Sequence, residues 1–172
     1  ATLTVGIVVG IFRVSYGYFV SEELAKAQGR LTLYQSTVNA EFERFSHLTH
    51  VLSRDTFVIA TAQGEATQEL NLRLEGFANQ AGLDAIYLMD ATGLTIAASN
   101  HADPGSFIGQ NYAFRPYLQQ ALSGQQGRFY AIGTTTGLPG YFIADAVRDA
   151  QGEVLGVIAI KIGFAPLEQS WR

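Results

Sequence analysis

The stretch Gly140-Tyr141-Phe142-Ile143-Ala144-Asp145-Ala146-Val147, the turn Asp149-Ala150-Gln151-Gly152, and the run Val154-Leu155-Gly156-Val157-Ile158-Ala159-Ile160-Lys161-Ile162 together read as two strands joined too tightly to cross over. A parallel pair needs a crossover of a dozen or more residues, so this pair is antiparallel. Working outward, Arg128 to Gly133 forms a further strand before a Thr/Gly/Pro-rich loop. Ala85–Met89 and Leu94–Ser99 form a hairpin across the turn Asp90-Ala91-Thr92-Gly93. A helix is expected from about Thr67 to Gln80, stopped by Gly82, and a short one from Pro116 to Leu122, closed by Gly124. The order predicts an α+β fold, a five-stranded antiparallel sheet with helices against it.

From Ser21 to Asp55 a seven-residue spacing runs through Leu24, Leu31, Val38, Phe45 and Leu52, the mark of a long helix with a narrow apolar seam. That seam suits either pairing of two chains or packing on the domain's own sheet. Upstream, residues 3–12 are apolar and are followed by Arg13, Tyr16 and Tyr18. This pattern fits the outer end of a membrane helix, or a short helix end that packs on a partner. The chain starts at Ala1 rather than at a methionine, so further residues are expected upstream. The expected organisation is therefore 1–20 for the membrane-helix end, 21–56 for the long helix, 57–165 for the ligand-binding domain and 166–172 for the start of a connector.

The 172 residues carry a net charge of −4 with no basic cluster, which removes the electrostatic footprint of nucleic-acid binding. Apolar residues make up 48% and charged residues 15%, enough for a packed core. With no cysteine there is no thiolate nucleophile, disulfide or cysteine metal site. Glu43, His47 and His50 share a helix face, yet three such groups without a second cluster fit a solvated polar stripe better than a metal site. No catalytic constellation and no cofactor fingerprint is present, so the fragment offers no catalytic residues.

Binding chemistry is better represented. Gly109-Gln110-Asn111-Tyr112-Ala113-Phe114-Arg115-Pro116-Tyr117 gathers phenols, an amide and a guanidinium at a helix start, a donor set suited to a carboxylate. Lys161 is the one charge in an otherwise apolar final strand, on the face of Leu155, Val157 and Ala159. It either reaches water past the strand end or takes an anionic partner, and with Arg115 it would offer two cations to one small dianion. Tyr117, Tyr130, Gly133, Thr134, Gly140 and Tyr141 complete the candidate donors, with about half of the four tyrosines expected in packing roles.

With those residues in view, the chain resembles the extracytoplasmic sensor region of C4-dicarboxylate-sensing two-component histidine kinases, of the double Cache group of PAS-like sensors. The motifs are Ile86-Tyr87-Leu88-Met89-Asp90 with Gly93, Ile96-Ala97-Ala98-Ser99-Asn100, Gly109 to Tyr117, Tyr130-Ala131-Ile132-Gly133, Pro139-Gly140-Tyr141-Phe142, Gly156 to Lys161, and then Leu167-Glu168 and Trp171. The resemblance implies a PAS-like fold and a diacid such as succinate, malate or fumarate, clamped by Arg115 and Tyr112 at one end and Lys161 at the other. It also implies a homodimer through the long helix, anchored in the inner membrane and facing the periplasm. Kinase activity would belong to a part of the parent beyond Arg172. His101 and Leu118 stand where the family often has tryptophan and phenylalanine, changes expected to reshape the pocket wall. The alternatives are an amino-acid or other small-carboxylate sensor of a chemoreceptor or diguanylate cyclase, with Asp145 holding the ammonium, and a ligand-free dimerisation module.

Overall fold

The computed structural model describes residues 43, 45–65 and 67–163. The chain divides into two units, Ala1–Arg44 and Phe45–Arg172, and the fold below is that of the second. The expected membrane-helix end, the heptad positions Leu24, Leu31 and Val38, and the connector at 166–172 lie outside the described residues.

The first helix, α1, is described over residues 45–52, with Phe45 and Leu52 buried. It ends at Leu52, the last position of the apolar spacing. Asp55 begins a separate helix, α2 (Thr56–Ala62), its carboxylate accepting from the backbone N–H groups of Phe57 and Val58. Helix α3 (Thr67–Ala81) follows, burying Leu70, Leu74 and Ala78 as its helical spacing requires.

The strands are β1 (Ala85–Asp90), β2 (Thr95–Ala98), β3 (Gly127–Ile132), β4 (Pro139–Arg148) and β5 (Val154–Gly163), with α4 (Pro116–Leu122) between β2 and β3. Every pairing is antiparallel and the order across the sheet is β2-β1-β5-β4-β3. This is the PAS-like arrangement expected. The final strand is apolar except for Lys161 because it is central, covered on both faces.

Alternation divides the sheet into two cores. Ala85, Tyr87, Met89, Ala98, Phe142, Ala144, Val157 and Ala159 pack with Tyr117, Leu118 and Ala121 of α4. Ile86, Leu88, Ile143, Ile158 and Ile160, all fully buried, alternate with them and point to the other face. There α2 meets β1, β4 and β5, and α3 meets β1 and β2. Asn71 of α3 accepts the Ala98 N–H at 2.9 Å, giving an edge-strand donor a buried partner. Gln126, just before β3, donates to Ser46 O, to Thr49 Oγ1 and to Asp145 Oδ2, tying α1 to the sheet.

Candidate functional site

The β1–β2 turn places the first donor. Asp90 Oδ1 accepts from the N–H groups of Thr92 and Leu94, and Gly93 turns at φ +87°, a region that favours glycine. A side chain at Gly93 would also strike Ala113, since a Cβ there would lie 2.6 Å from its backbone nitrogen. The Tyr112 N–H donates to Gly93 O at 2.9 Å, and the Arg115 N–H to Tyr112 O at 2.9 Å. The motif from Gly109 to Tyr117 is thus folded against the hairpin. Arg115 takes the N-cap position of α4 without capping it, and Pro116 follows at the first turn. Its guanidinium turns inward, donating from Nη2 to Ile132 O at 3.0 Å beside the rings of Phe114 and Phe142. It is only 8% exposed, and among the described residues no carboxylate pairs with it.

The opposite end is Lys161, 1% exposed, which rules out a side chain reaching into water. Its Nζ donates to Thr136 Oγ1 at 3.0 Å and lies 3.2 Å from Asp84 Oδ2. Gly140 makes room for the lysine stem, because a Cβ there would lie 2.8 Å from Cε.

Between these cations the cavity is lined by Tyr87, Phe107, Tyr112, Tyr117, Phe142, Gly133 and the threonines 134–136. Tyr87 and Tyr117 share a hydroxyl hydrogen bond of 2.8 Å, and Tyr112 and Thr135 one of 2.6 Å. Burial, reinforced by the Tyr117 neighbour, holds the Tyr87 phenol well above its usual value. Burial also raises Tyr112, and pushes Tyr117 up to about 12. All three hydroxyls stay protonated at neutral pH; of the Tyr87–Tyr117 pair one O–H is spent on the other, leaving a single free donor there. Free space amounts to only about 10 Å³, on the scale of one water. The β3–β4 loop borders this space, with Thr135 bonded to Tyr112 and Thr136 to Lys161.

The structure brings together Tyr112, Arg115, Tyr117, Gly133, Thr134 and Lys161, with Gly140 beneath the lysine. Tyr130 and Tyr141 fall elsewhere. They are directly opposite each other in the β3–β4 ladder, and the next residue, Phe142, points into the cavity, so both tyrosines face the other side of the sheet. Asp145 shares that other side and accepts from Gln126, which leaves it no place beside a ligand ammonium in this cavity. His101 pairs with Glu75 at 3.3 Å, Leu118 is core, and neither lines the cavity, contrary to the expected effect on its wall. Sequence reasoning missed Tyr87, Phe107, Phe142 and Asp84, whereas the run from Gly133 to Gly137 already offers Thr135 and Thr136 as hydroxyl donors. Strand alternation could have flagged Tyr87, whereas Asp84 emerges only from the β1–β5 register, which opposes Ala85 to Lys161.

A larger cleft of about 580 Å³ lies among α1, α2 and the β4–β5 turn, lined by His50, Arg54, Asp145, Arg148 and Asp149. Its cations are engaged locally, Arg54 with His50 and Arg148 with Gly152 O. The small cavity holds the buried, convergent charges and is the better candidate despite its size. Among the described residues no group of His, Asp or Glu could hold a metal ion.

No family model matches the chain. It is 32% identical over 158 residues to the C4-dicarboxylate transport sensor protein DctB of Pseudomonas aeruginosa and 34% identical over 162 residues to that of Rhizobium meliloti. These alignments cover 89% and 90% of this chain but only 26% of each relative. The solved sensor domain of the V. cholerae histidine kinase DctB superposes with a TM-score of 0.80 at 35% identity, covering 87% of this chain and 59% of that one. The E. coli DcuS sensor domain matches in fold, with a TM-score of 0.58 at 18% identity, over 77% of this chain and 98% of that one. The chain is homologous to the sensor region of C4-dicarboxylate transport sensor proteins.

Proposed function

We propose, from that homology and the geometry of the cavity, that this chain is the extracytoplasmic input domain of a membrane-bound two-component sensor histidine kinase and binds a C4-dicarboxylate. Arg115, with Tyr112, would take one carboxylate in a planar two-point contact, and Lys161 the other. The observation that carries the reading is the buried Arg115 guanidinium, without a carboxylate partner among the described residues, facing a cavity that ends in a second buried cation. Buried charges are ordinarily paired, so an anion of small size is the natural complement. Tyr117 and Tyr87 set the apolar-walled floor, and Thr134–Thr136 form one side.

Binding signals only if it favours one arrangement of the protein over another. The β3–β4 loop, which borders the cavity, and the Gln126 link from β3 to α1 supply a route toward the helix. Pairing of two copies through the long helix belongs to the same reading, as does a periplasmic position for this domain. Sedimentation showing a monomer at every concentration, with the helix intact, would remove the dimer.

Isothermal titration against succinate, malate, fumarate, acetate and amino acids tests the ligand class. We expect binding of one or more diacids, and losses of roughly 30-fold or more on Arg115→Ala and Lys161→Met, as when one partner of a buried charge pair is removed. A folded sample that binds no diacid would overturn the proposal. Preferential binding of an amino acid would favour the chemoreceptor-type alternative, which now lacks Asp145 as its ammonium partner.

A further inference from the structure

Lys161 already has an anion beside it. Asp84 is the last residue before β1, and its own N–H donates to Lys161 O at 3.0 Å, so the backbone ladder delivers its carboxylate to the ammonium. The pair is unequal. The lysine side chain is 2% exposed and the aspartate 37% exposed, so the cation is trapped while the anion can swing into water. At the other end the Arg115 guanidinium donates to the Ile132 carbonyl and, among the described residues, has no carboxylate partner. Two cations against one carboxylate leave the site a single positive charge. A monoanion seated on Arg115 neutralises it and leaves the Lys161–Asp84 pair intact. A dianion reaching both cations sets its second carboxylate against that of Asp84 at one buried ammonium, where like charges are penalised.

We propose that Asp84 is an internal competitor for Lys161, holding the lysine end of the clamp until the second carboxylate of a diacid displaces it, so that it determines both affinity and selectivity for doubly charged ligands. This rests on the dicarboxylate reading above. The end of β5 is shaped for the competitor: a Cβ at Gly163 would lie 2.4 Å from Asp84 Oδ1 and 2.6 Å from Oδ2. Gly163→Ala therefore pushes the carboxylate off the lysine while keeping its charge, and Asp84→Asn removes the charge while keeping its shape.

The test is titration of the full 172-residue chain, its Asp84→Asn and Gly163→Ala variants and each variant combined with Lys161→Met, using succinate and butyrate. Succinate should bind roughly three- to tenfold more tightly in both single variants, with butyrate changing less than about twofold, as expected for a half-exposed ion pair. The gain should vanish when Lys161→Met is added. Equal or weaker succinate binding in both single variants, with normal binding by the unaltered chain, would overturn the role of Asp84 alone and make it a positioning residue for the lysine. Silence toward succinate in the unaltered chain and in Asp84→Asn alike would overturn the dicarboxylate reading itself. A readout without substitution is the carbon-13 carboxylate resonance of Asp84. It should move on saturation with succinate and stay in place with butyrate, and a resonance unmoved by succinate would refute displacement.

Discussion

Tyr117 shows how one side chain serves both the core and the cavity. Its ring stacks on Phe142 at 5.2 Å between centroids, and its hydroxyl meets that of Tyr87. Burial favours the neutral phenol, so its folded pKa of about 12 lies above the unfolded value of about 10. The stability this contributes is present below pH ~10 and is lost as the pH rises through the folded value. We expect denaturant midpoints to fall between pH ~10 and ~12 by an amount on the order of 2 kcal/mol, and Tyr117→Phe to flatten that slope. An unchanged slope in the variant would mean that other groups titrate there. Arg115 and Tyr112 could be picked from the sequence because guanidinium and phenol have few inexpensive reasons to cluster at a helix start. Asp84 could not, since an aspartate before a strand is ordinarily a solvated turn residue.

At the scale of elements, local chemistry marks most boundaries. Gly82, Gly93 and Gly124 all adopt positive φ where helices or turns end, as their neighbours in sequence imply. The apolar spacing of helix α1 ends at Leu52, and the extended backbone of Asp55, whose carboxylate accepts two hydrogen bonds, starts a new helix, α2, there. Asp55→Ala should therefore destabilise the fold by about 1 kcal/mol, seen as a lower midpoint at constant denaturant slope. Asn71→Ala should cost about 1–3 kcal/mol, because it leaves the Ala98 N–H of an edge strand without its buried acceptor. If hydrogen exchange at Ala98 were unchanged in that variant, the α3–β2 link would not be what protects it.

For the whole molecule, ligand and stability are linked. A diacid at about 100 times its dissociation constant should stabilise the fold by roughly 2.7 kcal/mol, a rise in melting temperature of about 5–10 °C, with slower amide exchange in the β3–β4 loop. Calorimetry with and without succinate checks this, and Lys161→Met should cut the rise to about a third or less at the same succinate concentration. The sequence by itself determined the strand count, the antiparallel sense and the short helix, and singled out Arg115 and Lys161 as candidates, because connection length, alternation and residue chemistry are local quantities. Only the tertiary structure decided which groups meet. The registers between β1 and β5 and between β3 and β4 turn Tyr130 and Tyr141 away from the cavity, bring Tyr87 and Phe142 into it and set Asp84 on Lys161. Those registers arise from packing both faces of one central strand, a condition that no local stretch of the chain contains.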